Sequence, residues 1–401
     1  LATVGACVWV CWSAARAEAD VAGVIVHAPE ASPVEVLAAR EVRRYAYVRT
    51  GRLLTVVTDP DAEPTAGCRI VVGSRDREIV RQFAASDRRL EDVGRLRPEE
   101  YRLCTLRTSA GPVLVVAGGD AAGTLYGVYR LAEHLGVRFY LEGDVAPEEQ
   151  TAFVVPELDE RGVPLFGLRG IQPFHDFPEG PDFWSEDGYQ AVIGQLPKLG
   201  LNFIGLHTYP EGGVGPEPVV WIGPPREVNA DGTVRASYPS RHFCTLNGTW
   251  GYQPKETGAY RCGAAALFEH DAYTQDVQVG MCPCPETPER ENELFNRMGD
   301  KLRSAFEHAR ALGVKTCVGT EVPLTVPRAV RERLLSGRPT TQPTAEDVGR
   351  LYEGMFTRIA RAYPIDYYWF WTPENWTWEK VAEASVEAAI ADIRQAAAAA
   401  E

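Results

Sequence analysis

Apolar positions along this chain recur with two periods. In the first third, short apolar runs alternate with segments of helical spacing. Residues 21–27, 53–57 and 69–73 read as strands, and residues 101–107 and 113–117 flank Ser109-Ala110-Gly111, a hairpin turn signal. Residues 33–50 place Val34, Leu37, Ala38 and Val42 on one face and Arg40, Arg43 and Arg44 off it, which predicts a helix. Residues 121–135 predict another, with Asp120 as N-cap. Residues 137–141 lead out. The pattern describes a small α/β domain, assigned to residues 20–158. It holds no paired carboxylates, no glycine-rich phosphate loop and no nucleophile motif.

Residues 161–164 read as a linker, and the rhythm then becomes strand, loop, helix. Strands are predicted at residues 165–172, 201–207, 314–321 and 365–371. Helices are predicted at residues 187–199, 287–312, 344–362 and 378–399, the first two stopped by Gly200 and Gly313. A Gly/Pro-rich stretch runs from residue 208 to about 274. Repeated β-loop-α units of this length predict a (β/α)8-type TIM barrel, although a doubly wound sheet would give a similar rhythm. A closed barrel of this type needs eight strands. Only four are legible after residue 160. Residues 159–401 are therefore expected to form a truncated barrel, behind the small N-terminal α/β domain.

The composition narrows the partners. The 401 residues are 45% hydrophobic, enough for two domains. A net charge of −14 disfavours nucleic acid and anionic membranes. Residues 1–12 are apolar and uncharged, and Ala15-Arg16-Ala17 and Ala17-Glu18-Ala19 follow, both small-x-small cleavage patterns. Residues 1–19 thus read as a signal peptide without its basic n-region, with a buried first strand as the alternative. The mature chain is expected to be secreted or periplasmic, with no membrane span. Of nine cysteines, Cys7 and Cys11 leave with the signal; the odd seven that remain give no closed disulfide framework. Cys282-Pro283-Cys284 has no second pair and no nearby histidine, so no metal is expected.

In such barrels chemistry sits at the C-terminal ends of the strands. Here those ends carry His175 and Asp176, His207, Glu321 and Glu374. Glu374 follows the apolar run Tyr367-Tyr368-Trp369-Phe370-Trp371. A carboxyl among aromatics is desolvated, which raises its pKa and suits a general acid. A glutamate favoured by a helix dipole is the plainer alternative. Glu321 could tune Glu374, bind a hydroxyl or act as a second catalytic carboxylate. Two carboxylates on different strands fit glycoside hydrolysis. Arg169, His175, Asp176 and His207 are candidates for holding sugar hydroxyls. Trp371 and Trp376 flank Pro373-Glu374-Asn375 and read as a stacking wall; Trp369, inside the strand, reads as core.

Gly123-Thr124-Leu125-Tyr126-Gly127-Val128-Tyr129, with Leu135-Gly136-Val137-Arg138-Phe139-Tyr140, resembles the end of the α/β domain that precedes the barrel in two families. These are the β-N-acetylhexosaminidases (glycoside hydrolase family 20) and the α-glucuronidases (family 67). The resemblance covers nearly all of residues 22–155. The barrel resembles family 20 more loosely. Leu168-Arg169-Gly170 is similar to a first-strand motif whose arginine holds sugar hydroxyls, and Asn202–His207 to a second-strand motif ending in histidine. Residues 309–315, then Glu321-Val322-Pro323, resemble the helix and third strand. Residues 368–374 fall where family 20 ends its fourth strand in an Asp-Glu pair, so the resemblance implies Glu374 as general acid. Pro373 stands in place of the Asp, and the preceding His-Gly-Gly run is missing. Proline cannot orient a substrate acetamido group, which speaks against acetamido-assisted hydrolysis. Another sugar, or the inverting two-carboxylate chemistry of the α-glucuronidases, fits as well.

The sequence is thus expected to encode an exported glycosidase acting on a polysaccharide or oligosaccharide, with Glu374 as acid and no cofactor. The alternative is a non-catalytic carbohydrate-binding protein on the same scaffold.

Overall fold

The computed structural model describes residues 22–58, 67–173, 184–208, 219–239 and 287–401. It divides into two compact units, one of Leu1–Tyr140 with Asp144–Leu165 and one of Leu141–Gly143 with Phe166–Glu401. Among the described residues no helix is long and apolar enough to cross a membrane.

The first unit runs β1 (Ala22–His27), α1 (Pro33–Thr50), β2 (Thr55–Val57), β3 (Gly67–Ser74), α2 (Glu78–Ser86), β4 (Tyr101–Thr108), β5 (Gly111–Gly118), α3 (Ala121–His134), β6 (Arg138–Tyr140), β7 (Gly143–Val145) and β8 (Asp159–Gly162). Its main sheet has the order β2-β1-β3-β5-β4-β8. The first four strands are parallel, and β4 runs antiparallel to both neighbours. Both faces are buried, one under α1 and α3 and the other under α2. The Gly-Thr-Leu-Tyr-Gly motif has a steric reason. A Cβ on Gly123 would lie 2.3 Å from the Glu100 carbonyl oxygen, and one on Gly127 3.1 Å from Val116. These glycines let α3 seat directly on β4 and β5. Asp120 caps α3 by accepting from the Gly123 amide at 2.8 Å.

Charges in this unit are paired internally. Glu35 is fully buried at the start of α1. It accepts from the Ser32 and Ser74 amides, the Ser74 hydroxyl and two nitrogens of Arg77. Burial opposes its ionisation, but the bonds from Arg77, Ser74 and Ser32 win and hold its pKa at about 2. Glu100 is held at about 2 in the same way: against its burial stand bonds from Arg161 and Arg97. The sequence begins the second domain at residue 159, whereas Asp159–Gly162 pairs with β4 as an edge strand of the first unit. The change of unit falls after this strand, at Leu165.

The second unit runs β9 (Gly170–Ile171), α4 (Glu186–Gln195), β10 (Phe203–Thr208), α5 (Pro288–Ala311), β11 (Lys315–Glu321), α6 (Arg328–Leu335), α7 (Ala345–Ala362), β12 (Tyr367–Trp371) and α8 (Glu383–Ala400). The strands form one parallel sheet, β12-β11-β10-β9. Among the described residues the expected barrel is not seen closed; this four-stranded sheet stands in its place. The strand expected at residues 165–172 shrinks to two residues, because Leu165 and Phe166 are exposed by 84% and 65% and pack on nothing that would extend it. A further helix, α6, escaped the sequence pattern: only Val330 and Leu335 on it are buried.

Period-two alternation gives this sheet two unlike faces. Ile204, Leu206, Val318, Tyr368 and Phe370 belong to the core built with α4, α5 and α7. Phe356 of α7 meets Tyr368 edge-to-face at 5.0 Å. The opposite face carries Phe203, Gly205 and His207 from β10, Cys317, Gly319 and Glu321 from β11, and Tyr367, Trp369 and Trp371 from β12.

Candidate functional site

The parallel register aligns these side chains in rows. His207 lies opposite Gly319, Gly319 opposite Trp369, and Glu321 opposite Trp371. The glycines make room for an indole. A Cβ on Gly319 would fall 1.5 Å from Cδ1 of Trp369, and one on Gly205 3.4 Å from Cη2 of the same ring. Trp369 therefore lies across both positions. Trp371 meets it edge-to-face at 5.8 Å and 75°. The buried His207 ring stands 5.3 Å from Trp371 and 6.4 Å from Trp369. Phe203 and Tyr367, 6.3 Å apart, continue the aromatic layer toward the other end of the strands.

At the C-terminal end, Glu321 is half-buried beside Trp371. The Val322 amide donates to the Trp371 carbonyl at 2.8 Å, so β11 and β12 stay paired just past the carboxylate. Burial pushes the Cys317 thiol up to about 12, which keeps it protonated and unreactive beneath this layer. On the reverse face burial also raises Tyr368, whose hydroxyl meets that of Thr320 at 2.7 Å.

Beyond β12 the backbone enters a short turn, Glu374–Thr377, closed by the Trp376 amide donating to the Pro373 carbonyl at 3.0 Å. Trp376 is half-buried in this turn. The side chain of Glu374 lies outside the described part, as do His175 and Asp176 entirely.

The structure thus gathers His207, Glu321 and Trp371 at one strand end, with the Glu374 turn leading directly out of it. Arg169 is not brought there. Its amide donates to Oδ1 of Asn202, and its guanidinium donates to the carbonyls of Gly200 at 2.8 Å and Phe166 at 2.6 Å. Those partners precede β10, so Arg169 braces the opposite end of the sheet and does not reach the sugar-binding position expected for it. It stands before β9, not at its end, because β9 begins only at Gly170. Trp369, expected as core, is half-buried on the same face as Trp371. Strand parity carries the signal for this: Trp369 and Trp371 are two apart, as are Gly319 and Glu321. What this end offers chemically is a carboxylate, an imidazole and indole faces, the means to accept hydroxyl hydrogen bonds and to stack on an apolar ring face.

Residues 12–131 match the family described as Glycosyl hydrolase family 67 N-terminus. This match falls within the first unit. No curated protein matches the chain. Among solved structures, a family 138 enzyme targeting pectin rhamnogalacturonan II is similar over 93% of this chain and 33% of its own, at 12% identity and a TM-score of 0.43. The β-N-acetylhexosaminidase from Bacteroides fragilis is similar over 87% and 52%, at 12% identity and 0.41. The family 20 β-N-acetylhexosaminidase from Streptomyces coelicolor is similar over 86% and 54%, at 15% identity and 0.40. The chain spans from a third to about half the length of these proteins.

Proposed function

We propose that this protein is an exported glycosidase whose second unit is part of a (β/α) barrel, hydrolysing O-glycosidic bonds of a polysaccharide or oligosaccharide. The observation that carries this reading is the convergence of Glu321, His207 and Trp371 at the C-terminal end of a parallel sheet, with Glu374 in the next turn. In parallel α/β sheets that end is where ligands sit. Glu374 protonates the glycosidic oxygen as the bond to the leaving group breaks. Glu321 supports it, by holding a sugar hydroxyl or by steadying the charge that develops on the ring. His207 binds a hydroxyl, and Trp371 and Trp376 stack against the sugar. His175 and Asp176 complete the set of hydroxyl ligands. Residues 1–19 serve as the export signal.

Turnover of a panel of aryl glycosides tests this: N-acetylglucosaminide, glucuronide, glucoside and xyloside, with wild type and Glu374→Gln. The reading expects one or more to be cleaved by wild type and the rate to collapse in the variant. Pro373 favours a second reading, since it occupies the place of the family 20 aspartate. On that reading the protein binds sugar without cleaving it, and Glu374→Gln leaves binding unchanged.

A further inference from the structure

Helix α8 carries a carboxylate that the reading above does not use. Asp392 shares a face with Ala389 and Ala396, the two buried residues through which α8 packs on α7. From there it accepts a hydrogen bond from the Leu324 amide at 2.5 Å. Leu324 lies in the loop that leaves β11, just beyond Glu321, and its own side chain is buried in the core of the unit. That loop is thereby fixed twice. Val322 is held to the Trp371 carbonyl of β12, and Leu324 to the helix that follows β12. A backbone amide bound to a carboxylate is a charge-assisted bond, stronger than the amide–carbonyl kind.

We propose that Asp392 is a positioning residue for Glu321, fixing the loop after β11 so that the carboxylate is held beside Trp371. The proposal rests on the reading of Glu321 as part of the site. Loss of the tether removes the fixed point at the Leu324 amide, leaves the loop to the Val322 bond and the buried Val322 and Leu324 side chains, and lets Glu321 leave its productive placement. An asparagine at 392 still offers Oδ1 to the same amide, so it keeps the tether in weaker form. An alanine does not.

The test uses the full chain as wild type, Asp392→Asn and Asp392→Ala. Two quantities are read: hydrogen exchange of the peptide covering residues 322–327, and kcat and KM on the aryl glycoside that wild type cleaves fastest. In Asp392→Ala, exchange of that peptide is expected to quicken about tenfold while α5 and β10 stay protected. Its kcat is expected to fall about ten- to a hundredfold with KM little changed. Asp392→Asn is expected to restore most of both. Unchanged exchange in Asp392→Ala overturns the tether. Faster exchange with unchanged kcat overturns the positioning role, as does a general loss of protection that Asp392→Asn does not rescue. A wild type that cleaves no glycoside counts against the functional reading and the positioning of Glu321 together; exchange then still decides the tether.

Discussion

The two sheets differ in how they finish their faces. The sheet of the first unit is covered on both sides, and its buried carboxylates Glu35 and Glu100 are saturated by arginines of the same unit. The sheet of the second unit is covered by helices on one side. On the other it carries half-buried indoles over glycines, an imidazole and a carboxylate. A buried polar group that is fully paired stabilises a fold and offers nothing to a ligand. Half-buried indoles and a half-buried carboxylate at the C-terminal ends of parallel strands stand where ligands sit in such sheets. On the proposed function, the first unit serves as scaffold and the second carries the chemistry.

The largest effect is expected from Glu35→Ala. It leaves Arg77 and the Ser74 groups without their shared acceptor, and the first unit should lose about 3–5 kcal/mol in chemical denaturation. Gly319→Ala should come next. Its Cβ has no room beside Trp369, so the ring must shift at a cost of about 1–3 kcal/mol, and near-ultraviolet circular dichroism should change with it. The same substitution placed at Gly94, which has open space around it, should do neither.

Acid should separate the units. Glu35 and Glu100 have pKa values near 2, below the ordinary 4.5. Their stabilisation is complete above about 4.5 and is lost as the pH falls toward 2. For Glu35 the loss is of order 1–3 kcal/mol. Unfolding followed by hydrogen exchange between pH 5 and 2 should show the first unit opening with this profile, and Glu35→Gln should flatten it. The smallest effect on stability is expected from Trp371→Ala. It should weaken sugar binding, measured calorimetrically, by about 1 kcal/mol while hardly moving the melting temperature, because Trp371 is already partly exposed. A large drop in melting temperature would place Trp371 with the core instead.

Much of the fold was legible because it rests on local patterns. Asp120 caps its helix as its position implied, and the helical spacing at residues 33–50 matches the buried stripe of α1. What failed depended on tertiary pairing. Residues 161–164 read as linker, yet Arg161 and Gly162 find a partner in β4 as part of Asp159–Gly162. Leu165 and Phe166 are apolar and read as strand, yet they find none. At the site, His207 and Glu321, expected near strand ends, lie at the C-terminal ends of β10 and β11. Arg169 was read inside a strand over residues 165–172, whereas that strand begins only at Gly170, which leaves Arg169 at the N-terminal end of the sheet. Trp369 was misassigned because burial was inferred from its neighbours in the run, not from the parity that sends Tyr368 and Trp369 to opposite faces.

The central claim is that Glu374 acts as a general acid, and leaving-group dependence tests it most directly. Wild type and Glu374→Gln would be compared on two aryl glycosides of one sugar, one with a dinitrophenyl group that needs no proton and one with a phenyl group that does. The account predicts that the variant keeps most of its rate on the first and loses it on the second, by about 10²- to 10⁴-fold. Equal losses on both, or no loss on either, would contradict it.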